Sequence, residues 1–296
     1  MKKILLLTMI VTVIFGVLGC SQSNIEENLV ASSDDDKHSN MEEKPVTLNE
    51  QGIYISKYAS ISKDEWESVD TTNTRYSTAE EFLTEIDYYV DEIVLELGRE
   101  EWLNEMLSQE NEEKQRIVLK FSAEKISYAY GGGTNESDEF SKPIVSHSED
   151  EFEGGWLMFT HELTHIISPY TVSRTLSEGL ACYMQDSVSL NNNQLKYKGD
   201  LKELVEIIFD EGYEDLCDYL GNPENEKNKI YTSDWSERVF YYALSSSFTD
   251  YIVTNYGFEK FMELYVSKCD EESYINIFGI NREELIRDFK DSINPS

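Results

Sequence analysis

Residues 156–169 read WLMFTHELTHIISP, and within them His161, Glu162 and His165 form the pattern HExxH. On a helix, positions i and i+4 share a face, so both imidazoles reach one metal ion while Glu162 reaches toward a water held there. Imidazole nitrogens suit zinc, and a carboxylate beside the water suits a general base. Apolar Leu157, Met158, Leu163, Ile166 and Ile167 flank the motif, and Pro169 marks the predicted helix end. Four histidines in 296 residues give a chance expectation of about 0.01 for the pattern, so coincidence accounts for it poorly. The competing reading is a surface set without metal. Apolar flanks oppose it, because two unpaired histidines and a glutamate are costly to bury.

Catalytic zinc has three protein ligands and an open position for water, and no histidine follows His165. A carboxylate must then complete the set. Thirteen residues after His165 comes SEGLACYMQD, with Glu178 near the start of a second predicted helix. Thr175 and Glu178 also fit a T-x-x-E capping box, so a purely structural role competes. Glu149, Asp150, Glu151 and Glu153 are rival carboxylates in a predicted loop, where solvation is the simpler expectation. Asp186, two turns beyond Glu178, is a candidate partner for a ligand histidine.

HExxH followed by an S-E-G helix resembles the gluzincin peptidases. The metzincin pattern is not met, since Thr171 stands where its third histidine belongs and Ser168 where its glycine does. The gluzincin resemblance implies His161, His165 and Glu178 as ligands of one zinc per chain and Glu162 as general base. Four residues after Glu178, where some gluzincins carry a partner residue, stands Cys182. The segment VFYYALSSSFTDYIVTNYG, from Val239 to Gly257, resembles the downstream helix of many bacterial gluzincin-like proteins, and FGINREELIRDFKDSI resembles their terminal helix. The likeness spans about residues 120–290. It implies peptide-bond hydrolysis through a zinc-held water, with a downstream tyrosine donating to the developing oxyanion. Tyr242 fits the spacing, Tyr241 is the runner-up, and core packing explains either ring equally well. Two rivals compete with the enzyme: a non-catalytic zinc-binding or scaffold lipoprotein that keeps the fold, and a structural zinc protein, which needs a fourth protein ligand.

The elements that must hold these residues are legible in outline. IYISKYASI, just after Gly52, predicts a strand, and Phe82, Leu83, Ile86, Val90, Ile93, Val94 and Leu97 predict a helix from Thr78 to Leu97, with Ser77 and Glu80 as its capping pair. A shorter helix carries Trp102, Leu103, Met106 and Leu107, RIVLKF predicts a strand over Arg116–Phe121, and KISYAYGGG a strand breaking at glycines 131–133. Those glycines allow either close backbone approach to an extended substrate or a plain loop. The expected fold is α+β: a small mixed sheet packed on the HExxH helix, followed by a mainly helical C-terminal lobe, with the site between them. Residues 51–155 supply the helix and sheet, and 156–296 the zinc-site helices and the lobe, as one catalytic domain.

Met1 to Cys20 reads MKKILLLTMIVTVIFGVLGC, a basic pair, an apolar run too short to span a bilayer, then a small residue and a cysteine. VLGC resembles the lipobox of bacterial lipoproteins. It implies a signal over residues 1–19, a diacylglyceryl anchor on Cys20, and a place on the outer face of the bacterial cytoplasmic membrane. Residues 20–50 are polar and acidic and read as a disordered tether, in which Asp34–Asp36 and His38 carry no chemistry. Loss of residues 1–19 takes the formal charge from −33 to −35 by removing Lys2 and Lys3. Such acidity excludes nucleic-acid partners. Cys182, Cys217 and Cys269 are an odd set without metal spacing and read as buried thiols. A peptide or protein substrate, a membrane reached through Cys20 and a monomeric chain complete the expectation.

Overall fold

The computed structural model describes residues 46–111, 114–124, 127–132, 140–188, 201–230 and 235–293. The signal segment, Cys20, Asp34–Asp36, His38, Ile126 and Gly133 lie outside the described residues. Strands β1 (Thr47–Leu48), β2 (Ile53–Ile55) and β3 (Ala59–Ser62) form an antiparallel meander. Its first turn is built by Asn49, whose side-chain oxygen accepts the N–H groups of Gln51 and Ile53 while Gly52 takes φ 74°. The expected tether ran to residue 50, but strand pairing already recruits Thr47 and Leu48.

After the five-residue helix α1 (Lys63–Glu67) comes α2 (Ala79–Leu97), whose apolar period buries Phe82, Leu83, Ile86, Val90, Ile93 and Val94. Six such side chains contribute on the order of 10 kcal/mol before conformational entropy is charged against them. The cap is Thr78 with Glu81, one residue later than the expected Ser77–Glu80 pair. Thr78 is the residue with extended backbone (φ −139°, ψ 158°), its hydroxyl accepts the Glu81 N–H, and the Glu81 carboxylate takes the N–H of Ser77. Gly98, in the left-handed region, stops the helix, and α3 (Glu100–Ser108) buries Trp102 and Met106.

Strands β4 (Ile117–Ser122), β5 (Tyr128–Tyr130) and β6 (Ile144–Ser148) complete a mixed sheet of order β1-β2-β3-β4-β6-β5, in which β3, β4 and β6 run parallel and β5 is antiparallel at the edge. Glu149–Glu153, expected as a loop, is a short helix, α4, because the Ser148 hydroxyl caps it by accepting the Glu151 N–H. Helices follow: α5 (Phe159–Ile167), α6 (Arg174–Val188), α7 (Leu201–Asp210), a 3-10 turn (Glu214–Tyr219), α8 (Pro223–Ile230), α9 (Trp235–Tyr256), α10 (Phe258–Tyr265), α11 (Glu271–Phe278) and α12 (Arg282–Ile293). The fold is α+β, and Val46–Ser296 cluster as one unit. No helix among the described residues is long and apolar enough to cross a membrane.

An aromatic cluster joins the sheet to α5. Phe82 of α2 meets Phe159 edge-on at 4.9 Å, Phe121 of β4 meets Phe152 of α4 at 4.5 Å, and the His147 ring of β6 stacks on Phe159 at 4.5 Å. Phe159 is the first residue of α5, so this packing sets where the HExxH helix begins.

Candidate metal centre

Helix α5 is buried almost all round, with His165 half-buried and His161 and Glu162 at 3% and 5% exposure. A polar motif in such a place requires partners. The N-terminus has no side-chain cap of its own. Instead, the Met158 N–H donates to His147 Nε2 at 2.9 Å, while His147 Nδ1 lies 2.9 Å from the Ser148 carbonyl. Those two contacts assign the proton to Nδ1. At the other end the backbone turns extended at Ser168, and Pro169 follows as expected.

Helix α6 brings the carboxylate. Its cap is Ser173, whose hydroxyl accepts the Leu176 N–H; Thr175 and Glu178 therefore do not form the capping box that their spacing allows. The capping carboxylate comes from far along the chain. Glu226 of α8, 1% exposed, accepts the N–H groups of Arg174 at 2.7 Å and Thr175 at 3.4 Å, together with the hydroxyls of Ser173 and Thr175. Thr175 in turn accepts the Gly221 N–H at 2.8 Å. An anion at a helix N-terminus is favourable, and it leaves Glu178 free of capping duty to face α5. Gly179 explains the next motif position. A Cβ there would lie 2.2 Å from Thr249 Oγ1 and 2.5 Å from the Ser245 carbonyl, so only glycine lets α9 cross α6 beside Glu178.

His161 Nε2, His165 Nε2 and Glu178 Oε2 thereby meet in a near-equilateral triangle with edges of 3.2, 3.2 and 3.3 Å. They form the candidate metal-holding group among the described residues. The centre of such a triangle is about 1.9 Å from each donor, close to the roughly 2.0–2.2 Å at which imidazole and carboxylate bind zinc. Three acceptors aimed at one point repel each other unless a cation or a proton lies between them. The donor set fits a small divalent ion.

Each ligand has a second contact. Cys182 Sγ lies 3.8 Å from His161 Nδ1, Ser177 Oγ is 3.2 Å from His165 Nδ1, and Arg174 pairs with the other oxygen of Glu178 at 3.0 Å. The buried Tyr265 hydroxyl bonds Ser168 at 3.0 Å and also Ser177, tying this end of the site to α10. Burial acts to raise the Glu178 carboxyl, but the neighbouring His165 and Arg174 outweigh it and hold the group well below the usual carboxylate range. Glu162 behaves oppositely: burial pushes it up to about 7, the nearby His161 only partly opposing. The two neighbouring carboxyls are thus shifted in opposite directions, a pattern that favours different roles for them. Burial and the carboxylates of Glu178, Asp186 and Glu162 drive the Cys182 thiol well above its usual range.

Among the other expected residues, Tyr242 of α9 is half-buried and presents its ring edge-on to His161 at 6.2 Å between centroids. Tyr241 is buried away from it, against Tyr219. Asp186 is exposed, one turn too far along α6, and the residue at His161 Nδ1 is Cys182. Two of the rival carboxylates are used elsewhere: Glu151 accepts from Ser127, and Glu153 takes the Asp70 N–H. Of the glycine break, Gly132 passes so close to α5 that a Cβ would sit 2.6 Å from the Ile166 carbonyl, and its own carbonyl accepts the Trp102 indole N–H. His147 and Glu226 escape sequence reasoning. His147 sits in a fully buried strand whose pattern does not mark it, and Glu226 lies 52 residues from Arg174 in a polar stretch without period. Cys217 and Cys269 are buried free thiols, as is Cys182. Comparison with protein-family models, curated proteins and solved structures finds no match to this chain, so the geometry of the site carries the functional reading.

Proposed function

We propose that this chain is a zinc-dependent metallopeptidase of gluzincin type, exported and anchored through a lipid on Cys20 to the outer face of the bacterial cytoplasmic membrane, acting as a monomer on peptide or protein substrates. The observation that carries the reading is the 3.2–3.3 Å triangle of His161, His165 and Glu178 with Glu162 buried one residue from its first corner. The export arm rests on the layout of Met1–Cys20. Zinc bound at the triangle supplies Lewis acidity, lowering the pKa of water toward about 7 and polarising a carbonyl.

The chain's own residues supply the rest. The Nε2 atoms of both histidines would hold the ion, with Cys182 and Ser177 beside the Nδ1 atoms. Arg174 keeps Glu178 ionised by pairing with the oxygen that does not face the histidines. Glu162, its carboxyl raised to about 7 by burial, accepts the proton of the attacking water and returns it to the leaving nitrogen. Tyr242, whose ring lies edge-on to His161, is the residue assigned to donate a hydroxyl to the oxygen that gains charge.

Zinc content and cleavage of casein and of a diverse peptide mixture, measured for wild type, Glu162→Gln and Glu178→Ala, test the proposal. Wild type should bind one zinc and cut. Glu162→Gln should keep zinc and lose at least about 100-fold in rate, and Glu178→Ala should lose zinc. Stoichiometric zinc with no cleavage in wild type or Glu162→Gln would establish the scaffold alternative instead.

A further inference from the structure

Arg174, Ser177, Glu178 and Cys182 all lie on α6, so the carboxylate ligand and the groups behind both histidines share one helix. A histidine ligand needs its second nitrogen held, since that contact fixes the tautomer and the ring plane. Ser177 Oγ is 3.2 Å from His165 Nδ1, and Cys182 Sγ is 3.8 Å from His161 Nδ1 within the distance open to sulfur. Ser177 is itself held by the buried Tyr265 hydroxyl. Cys182 is 3% exposed and forms no disulfide. Neither partner is a carboxylate, and the Arg174 guanidinium pairs with the other oxygen of Glu178.

We propose that Ser177 and Cys182 are positioning residues that hold His165 and His161 with the proton on Nδ1 and the Nε2 lone pairs converging on the metal, and that these uncharged partners leave the histidines weaker donors than carboxylate partners would. The inference rests on the zinc reading above and deepens it. A carboxylate accepting from Nδ1–H pushes electron density toward Nε2; a thiol or hydroxyl does so far less. Metal affinity is therefore set below what the same three ligands can reach, and one substitution should raise it. Cys182 is the place, because its side chain already points at Nδ1 and aspartate is of similar size.

Zn2+ affinity of the purified full chain, read by competition with a chromogenic chelator, tests this without recourse to catalysis. Ser177→Ala and Cys182→Ala should each bind Zn2+ about 10- to 100-fold more weakly, Cys182→Ser should stay within about threefold of wild type, and Cys182→Asp should bind at least about tenfold more tightly. Nitrogen shifts of 15N-histidine-labelled wild type should show the Nδ1–H tautomer at both rings. An Nε2–H tautomer at either ring overturns the assignment, including the case where an alanine variant fails to fold. Wild type that binds Zn2+ while both alanine variants match it within threefold overturns this assignment alone. Wild type that takes up no Zn2+ defeats the zinc reading together with it.

Discussion

His147 offers a way to perturb the start of the HExxH helix by pH. Its ring is fully buried in β6, stacked on Phe159, and its Nε2 accepts the N–H that opens α5. Burial pushes its pKa down to about 4, the Ser148 carbonyl opposing only in part. In the unfolded chain the ring titrates near about 6.5. The folded state thus binds fewer protons, so the neutral ring's contribution is fully present above about pH 6.5 and is lost as pH falls toward 4. The gap between 6.5 and about 4 is worth about 3 kcal/mol. His147→Phe removes the titration and leaves the Met158 N–H without its acceptor, a cost of about 1–3 kcal/mol at pH 8. Urea unfolding of both proteins, followed by tryptophan fluorescence between pH 8 and 4.5, reads the effect. Subtracting the two cancels the titration of the 58 acids that they share. Wild type should be the more stable at pH 8, and its advantage should shrink by about 1.4 kcal/mol per pH unit below 6.5. A difference that stays flat across that range refutes the buried, neutral acceptor.

Three further outcomes follow from the same geometry. Glu226→Ala should cost at least about 3 kcal/mol and lower zinc affinity, because it strips a buried carboxylate from two N–H groups and two hydroxyls at the start of α6; thermal melts and chelator competition read both, and an unchanged melt contradicts the role. Gly179→Ala should destabilise by about 1–3 kcal/mol, since its Cβ would press on the Ser245 carbonyl backbone, and a neutral melt would mean that α9 moves freely against α6. Zinc at 100 times its dissociation constant should add about 2.7 kcal/mol to the stability of wild type and nothing to Glu178→Ala; equal gains in the two proteins would remove Glu178 from the ligand set.

The strongest local patterns are legible in the sequence because each is a property of neighbouring residues. The apolar spacing from Phe82 to Val94 has a helix's period whatever surrounds it, and Pro169 ends α5 because of its own ring. Where two local solutions compete, neighbours do not decide. Ser77–Glu80 and Thr78–Glu81 both spell a cap, and the backbone at Thr78 selects the second. Thr175–Glu178 also spells one, and the arrival of Glu226 from another helix releases Glu178. Local composition fails at residues 47–48 for a related reason: Thr47 and Leu48 form a strand only because β2 is there to pair with them.

By itself the sequence determined that His161, Glu162 and His165 share a helix, since four residues bring a side chain round to the same face of any α-helix. It also pointed to a carboxylate as the third corner of a candidate metal site, because no histidine follows His165. Only the tertiary structure decided that Glu178 supplies that corner, that Cys182 rather than Asp186 stands behind His161, and that His147 and Glu226 seat the two site helices. Those contacts join residues 11 to 52 positions apart. They arise from the crossing of α5, α6, α8 and β6, and no periodicity along the chain encodes where separate elements meet.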